Sequence, residues 1–184
     1  MSTGRWHFPV KPPPRALAAL FCLVATGCGL FGGDDYVPPC PRAVVLADAQ
    51  SVTEFRPGPG RDLADIFNEG AIAGLASGCE YNDDGTVDFD IDIGFELAIG
   101  PASPDGVGHW EYFVVVVDPD QRRVAKRIFT IDLLFEQAVF RTVLVEQVTQ
   151  RIVYAPWPNA SGFRIFIGFQ LTREQLDYLR GRTR

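Results

Sequence analysis

Lysine is almost missing from this chain: of seventeen basic residues in 184, only Lys11 and Lys126 are lysines. Acids outnumber bases 23 to 17, for a formal net charge of −6. That balance argues against a nucleic-acid binder, because neutralising a phosphate backbone takes concentrated Lys and Arg. Histidine is equally scarce, with only His7 and His109, and no GxSxG elbow is present. Nucleophilic hydrolysis therefore has few groups to draw on. No apolar run approaches the about 20 residues that a helix needs to cross a bilayer. The four cysteines include no CxxC pair, so neither a dithiol redox motif nor zinc-ligand spacing is present.

What is present begins with an export signature. Arg5, Lys11 and Arg15 form a basic segment without an acid, and residues 16–24 (ALAALFCLV) follow as an apolar run of nine. A run this short reads as the core of a signal peptide and not as a membrane span. It ends in Ala25-Thr26-Gly27-Cys28, small residues directly before a cysteine. This order resembles the lipobox of bacterial lipoproteins, although Ala25 stands where leucine is usual. The resemblance implies that the Cys28 sulfur is diacylglycerated and that cleavage makes Cys28 the first residue of the mature chain. Residues 1–27 are expected to be a lipoprotein signal peptide and 28–39 a flexible, lipidated tether rich in Gly and Pro. Several acyl chains hold such a protein stably on a membrane. Gly29 after the cysteine, in place of Asp, favours the outer membrane with the protein facing the periplasm. The alternative is an ordinary secretory signal, with Cys28 a plain thiol.

Setting residues 1–27 and their three cations aside leaves 14 bases against 23 acids, and two cysteines besides Cys28. In an oxidising envelope Cys40 and Cys79 read as a disulfide, worth roughly 3–4 kcal/mol on the chain-entropy account. Residues 40–184 have the size of one domain, with no repeat or second linker. Strand chemistry, β-branched and aromatic residues bounded by Gly, Pro, Asn and Asp, recurs at 43–46, 52–55, 71–81, 109–117, 123–131, 139–154 and 163–171. Asp118-Pro119-Asp120-Gln121 supplies a turn between two of these. Thr172-Arg173-Glu174-Gln175 carries a capping-box pattern, which predicts a short helix to about residue 180. The expected fold is all-β: an antiparallel sandwich of seven or eight strands, immunoglobulin- or fibronectin-like, with a short C-terminal helix. A small barrel is the second choice.

The stretch NDDGTVDFDIDIGFE at 82–96 admits two readings. As a calcium loop it fails in both available frames: from Asp88 the sixth and twelfth positions are Ile93 and Ile99, and from Glu80 the twelfth is Ile91. As a strand it succeeds. From Thr86 to Ile99 every odd position is large and apolar, while Asp88, Asp90, Asp92 and Glu96 fall on even ones. Alternation places the two sets on opposite faces, so the acids are expected in solvent, with arginines or Lys126 on neighbouring strands as partners. Gly94 is a candidate bulge. Asn82-Asp83-Asp84-Gly85 is then a hairpin turn, with loose calcium binding as the alternative.

Three side chains remain as candidates. Trp157, stiffened by Pro156 and Pro158, is either a partner anchor or a cap packed on one end of the sandwich. Phe166 lies on the exposed alternate positions of the last strand, which is read as an edge open to strand addition. His109 is either a solvated residue at a strand end or the base of an envelope hydrolase. On ATGC at 25–28, CPRAVVLADAQSVTEFRPGPGRDLADI at 40–66 and GFQLTREQLDYLR at 168–180, the chain is similar to a group of uncharacterised bacterial lipoproteins of alphaproteobacterial type. That resemblance implies no activity, cofactor or metal. The expected function is a non-enzymatic, membrane-anchored envelope lipoprotein that contacts another envelope protein. The alternatives are an envelope hydrolase using His109 and a calcium- or glycan-binding sandwich.

Overall fold

The computed structural model describes residues 36–136 and 139–182. The signal-peptide and lipidation expectations, Cys28 included, lie outside the described residues. Pro38–Arg184 forms one compact unit. Its strands are β1 (Arg42–Val45), β2 (Ser51–Phe55), β3 (Ile66–Tyr81), β4 (Thr86–Ile99), β5 (Val107–Val117), β6 (Arg123–Leu134), β7 (Arg141–Val153) and β8 (Arg164–Phe169), followed by helix α1 (Arg173–Arg182). They form two four-stranded sheets, ordered β1-β8-β5-β6 and β2-β3-β4-β7. All pairings are antiparallel except β1 with β8. This is the expected sandwich with its terminal helix, and of the seven or eight strands anticipated it has eight. β1 and β2 fall in different sheets, whereas the first two strands of the constant-type immunoglobulin arrangement share one.

Period-two patterning decides what each sheet buries. Val87, Phe89, Ile91, Ile93, Phe95 and Leu97 of β4 are fully buried, and Ile99 packs half-buried beside them. Each such side chain contributes about 1.5–3 kcal/mol when taken from water. From the opposite sheet, Trp110, Tyr112, Val114 and Val116 of β5 and Ile165, Ile167 and Phe169 of β8 close the core. Phe95 joins the two sheets, with its ring centroid 4.9 Å from Tyr112 and 5.8 Å from Phe169. Gly70 on β3 makes room for this: a Cβ there would lie 2.9 Å from the Phe169 ring and 3.1 Å from Trp110.

The bulge belongs to β3 and not to β4. Pairing passes from Ile72↔Phe95 to Gly74↔Gly94, so Ala73 is the extra residue, while β4 stays in unbroken register with β7 through Gly94. Because β4 keeps its alternation, the shift of face has to be absorbed by its neighbour, and Leu75 and Cys79 return to the core side. At the C-terminus the capping box forms as predicted: the Thr172 amide donates to Gln175 Oε1 at 2.8 Å, and the Gln175 amide to Thr172 Oγ1 at 3.2 Å. The helix lies beside β2, with Tyr178 edge-on to Phe55 at 4.9 Å.

The edge expected at Phe166 is not formed. The strand that carries Phe166 is no edge, because β8 is hydrogen-bonded to β1 on one side and β5 on the other. With both backbone edges occupied it cannot accept a further strand.

Candidate interaction surfaces

The residues singled out in the sequence separate into those occupied inside the fold and those left at its surface. Cys40 and Cys79 are bonded, with Cα atoms 5.7 Å apart. The bridge ties the start of β1, in one sheet, to the end of β3 in the other. Trp157 is half-buried, edge-on to Phe163 at 5.2 Å, with the Arg122 guanidinium 6.0 Å above its ring. Of its two readings, the packed cap describes this position. The same Arg122 donates to Asp118 Oδ2 at 2.9 Å. Burial opposes the charge on Asp118, but the Arg122 backbone amide and guanidinium outweigh it and hold its pKa low. His109 Nδ1 lies 2.6 Å from Asp132 Oδ1, directly across the β5–β6 ladder, and both side chains are largely exposed. Among the described residues no hydroxyl is hydrogen-bonded to its other ring nitrogen.

The acidic stretch lies on the outer face of the β2-β3-β4-β7 sheet, where each acid meets a group on β7. Arg151 donates to Asp88 at 2.7 and 2.6 Å, Thr149 to Asp90 at 2.6 Å and Gln147 to Asp92 at 3.0 Å, and Arg141 stands 3.6 Å from Glu96. Arg151, then Asn82, lowers the Asp88 pKa to about 2. Arginine partners were expected and two are found. Lys126, also named as a partner, is in the other sheet, donating to Gln170 at 3.0 Å. In the turn, Asp84 Oδ1 accepts from the Thr86 amide and hydroxyl, and Gly85 has φ +79°. These are the contacts of a hairpin turn closing on itself.

The outer face of the β1-β8-β5-β6 sheet has another chemistry. Cross-strand register sets its side chains in rows about 6.8 Å apart. Arg42, Arg164, Val117 and Arg123 form the first row, Val44, Phe166, Val115 and Lys126 the second, and Phe113 and Ile128 continue the band with Leu46 nearby. Val44, Leu46 and Ile128 are exposed, the last at 52%, and Phe113, Val115 and Phe166 are half-buried. Glu111, Gln170 and Thr130 follow, and then the His109–Asp132 pair. Phe166 therefore sits in the middle of an apolar band and not on an edge. Among the described residues Arg42, Arg123, Lys126, Arg127 and Arg164 make no ion pair, whereas Arg56, Arg61, Arg122, Arg141, Arg151 and Arg180 each do. Among the described residues Arg173 on α1 likewise makes no ion pair.

The sheet edges differ as well. Four-residue β1 is short, α1 packs beside β2, and β6 carries a register shift at its start with Lys126 and Arg127 in its middle. Shortness, cover, bulges and cations are devices that blunt an edge. By contrast β7 is thirteen residues long, pairs with β4 without a register shift and has no described strand on its other side. Val143, Val145 and Val153 stand more than 60% exposed along it, with Phe140 just before it. One inward acid, Glu146, interrupts the strand; burial, and then this acid, pushes the Tyr112 hydroxyl pKa up to about 12.

No protein-family model matches this chain, and no curated protein matches it. Among the described residues no helix is long and apolar enough to cross a membrane.

Proposed function

We propose that this chain is a lipid-anchored envelope protein of the bacterial lipoprotein type, and that its sandwich is a non-enzymatic module that engages another envelope protein by strand addition at β7. The observation that carries the interaction reading is the β7 edge itself, which combines a backbone edge with no described strand beyond it and protruding valines. An incoming strand gains main-chain hydrogen bonds there and buries Val143 and Val145 against its own side chains. The anchor reading is supported by the basic segment, the nine-residue apolar run and the small residues before Cys28. The Cys40–Cys79 bridge agrees with an oxidising compartment.

Two measurements test it. The intact mass of protein extracted from membranes should place the N-terminus at Cys28 with added acyl groups. An unmodified Cys28 thiol would overturn the anchor. A photo-crosslinking amino acid at Val145 should capture an envelope protein in living cells, and one at Asp90, whose side chain is paired across β4–β7, should not. Equal capture at both positions would overturn strand addition.

A further inference from the structure

We propose that the outer face of the β1-β8-β5-β6 sheet docks on a bilayer surface carrying anionic headgroups, so that the sandwich lies against the membrane with β7 directed away from it. Arg42, Arg164 and Arg123 share one cross-strand row, about 14 Å across four strands. None of them has a carboxylate partner among the described residues, in a chain with an excess of acids. A row of unpaired guanidinium groups matches a surface of repeated phosphates, each of which accepts the arginine fork. Beside the row, Val44, Phe166 and Ile128 form the apolar band that enters the headgroup boundary, and Lys126 stands over the Phe113 ring at 5.1 Å. Glu111 and Asp132 lie on the far side of that band, so the face is polarised, with its cations at the end where the N-terminal segment joins β1.

Chain length supplies the second reason for choosing a membrane. Thirteen residues, or fourteen Cα-to-Cα steps, lie between Cys28 and Arg42, a reach of at most about 50 Å. An anchor at Cys28 would keep this face within that distance of the bilayer, and an effective concentration of that kind lets weak contacts suffice. In this respect the proposal rests on the lipid-anchor reading. The chemistry of the face does not depend on it.

The test uses the full-length membrane-extracted protein with a single bimane label, on Ile128→Cys in this face or on Thr149→Cys in the opposite one. Each is mixed with vesicles of phosphatidylcholine containing a nitroxide headgroup lipid, with or without about one third phosphatidylglycerol. Bimane at 128 should be quenched at least about twofold more than at 149 in the anionic vesicles. The difference should vanish in the Arg42→Ser/Arg123→Ser/Arg164→Ser protein and in about 1 M salt, where the Debye length falls to ~3 Å. Equal quenching at the two positions, or quenching at 128 indifferent to phosphatidylglycerol, would overturn the proposal. So would protection of position 128 that rises with protein density, the sign of a second copy on this face. Failure to bind neutral vesicles counts only against the anchor, and a missing contrast in bound protein counts only against the face.

Discussion

The two outer faces of this sandwich carry charge in opposite ways. On the β4–β7 side the acids are answered within the molecule: Arg151, Thr149, Gln147 and Arg141 each reach one of them across the ladder. On the β8–β5 side the arginines have no carboxylate partner among the described residues, and they stand next to exposed aliphatic groups. Cross-strand pairs of this kind stabilise the sheet that contains them. Unpaired cations beside an apolar band add little to folding, and their chemistry is available to something outside the chain. The difference separates residues satisfied within the fold from residues whose charge no described neighbour answers.

Both faces depend on one shared core, and the largest expected effect lies there. Phe95→Ala removes the ring that touches Tyr112 and Phe169 from across the sandwich. It should cost about 3–5 kcal/mol of unfolding free energy in a denaturant titration, and membrane docking and partner capture should fail with it. If docking survives in a variant destabilised that far, the face does not need the sandwich. Next in size is the Cys40–Cys79 bridge, which joins the sheets covalently. Its reduction should cost roughly 3–4 kcal/mol, measured by the same titration with and without reductant. Free thiols in the denatured, unreduced protein would contradict the bridge.

Much of the division between faces was legible in the chain. Alternation over residues 86–99 located β4 to the residue, and with it the wet position of the acids. The turn at 118–121 and the Thr172 capping box were legible for the same reason, since local geometry decides them. The hairpins at 82–85 and 118–121 were legible too; what sequence could not supply was which strands distant in the chain become neighbours. Whether β8 is an edge depends on β1 pairing with it from more than a hundred residues away, and no local pattern encodes that. The first residues of β3 were missed as well. Asn68, Glu69 and Gly70 are poor strand formers, held there because Asn68 donates to Glu54 at 2.9 Å and to the His109 carbonyl at 3.1 Å, and because Gly70 admits the rings above it. The basic row was invisible for another reason. Arg42, Arg123 and Arg164 are far apart in sequence and meet only through sheet register.

A smaller effect runs in the stabilising direction. Tyr112 is fully buried and its hydroxyl has no hydrogen-bond partner among the described residues. Tyr112→Phe removes a polar atom that burial penalises, and it should gain about 1 kcal/mol. The substitution also bears on pH. Burial and then Glu146 raise this phenol to about 12, above the usual value near 10. Because the unfolded chain loses this proton first, stability is undiminished below pH 10 and falls as the pH rises toward 12. Tyr112→Phe should therefore soften alkaline unfolding, followed by far-ultraviolet dichroism. A variant less stable than the parent would mean that the hydroxyl has a partner.

The smallest effect tests the contrast between faces most directly, by removing one arginine from each. Arg151 is the first cause of the low Asp88 pKa, ahead of Asn82, with burial opposing. A carboxyl held at about 2 in the fold, against about 3.9 when unfolded, stabilises the protein above pH 4. That contribution drains away as the pH falls toward 2. Arg151→Ser should lower the thermal midpoint at pH 7 and flatten its decline between pH 4 and pH 2. Arg164→Ser removes no ion pair and should leave both midpoint and acid slope unchanged, while weakening attachment of the face to anionic vesicles. Matching acid slopes in the two variants would erase the distinction. A midpoint that falls further with Arg164→Ser than with Arg151→Ser would reverse it, placing the structural arginine on the face assigned here to the membrane.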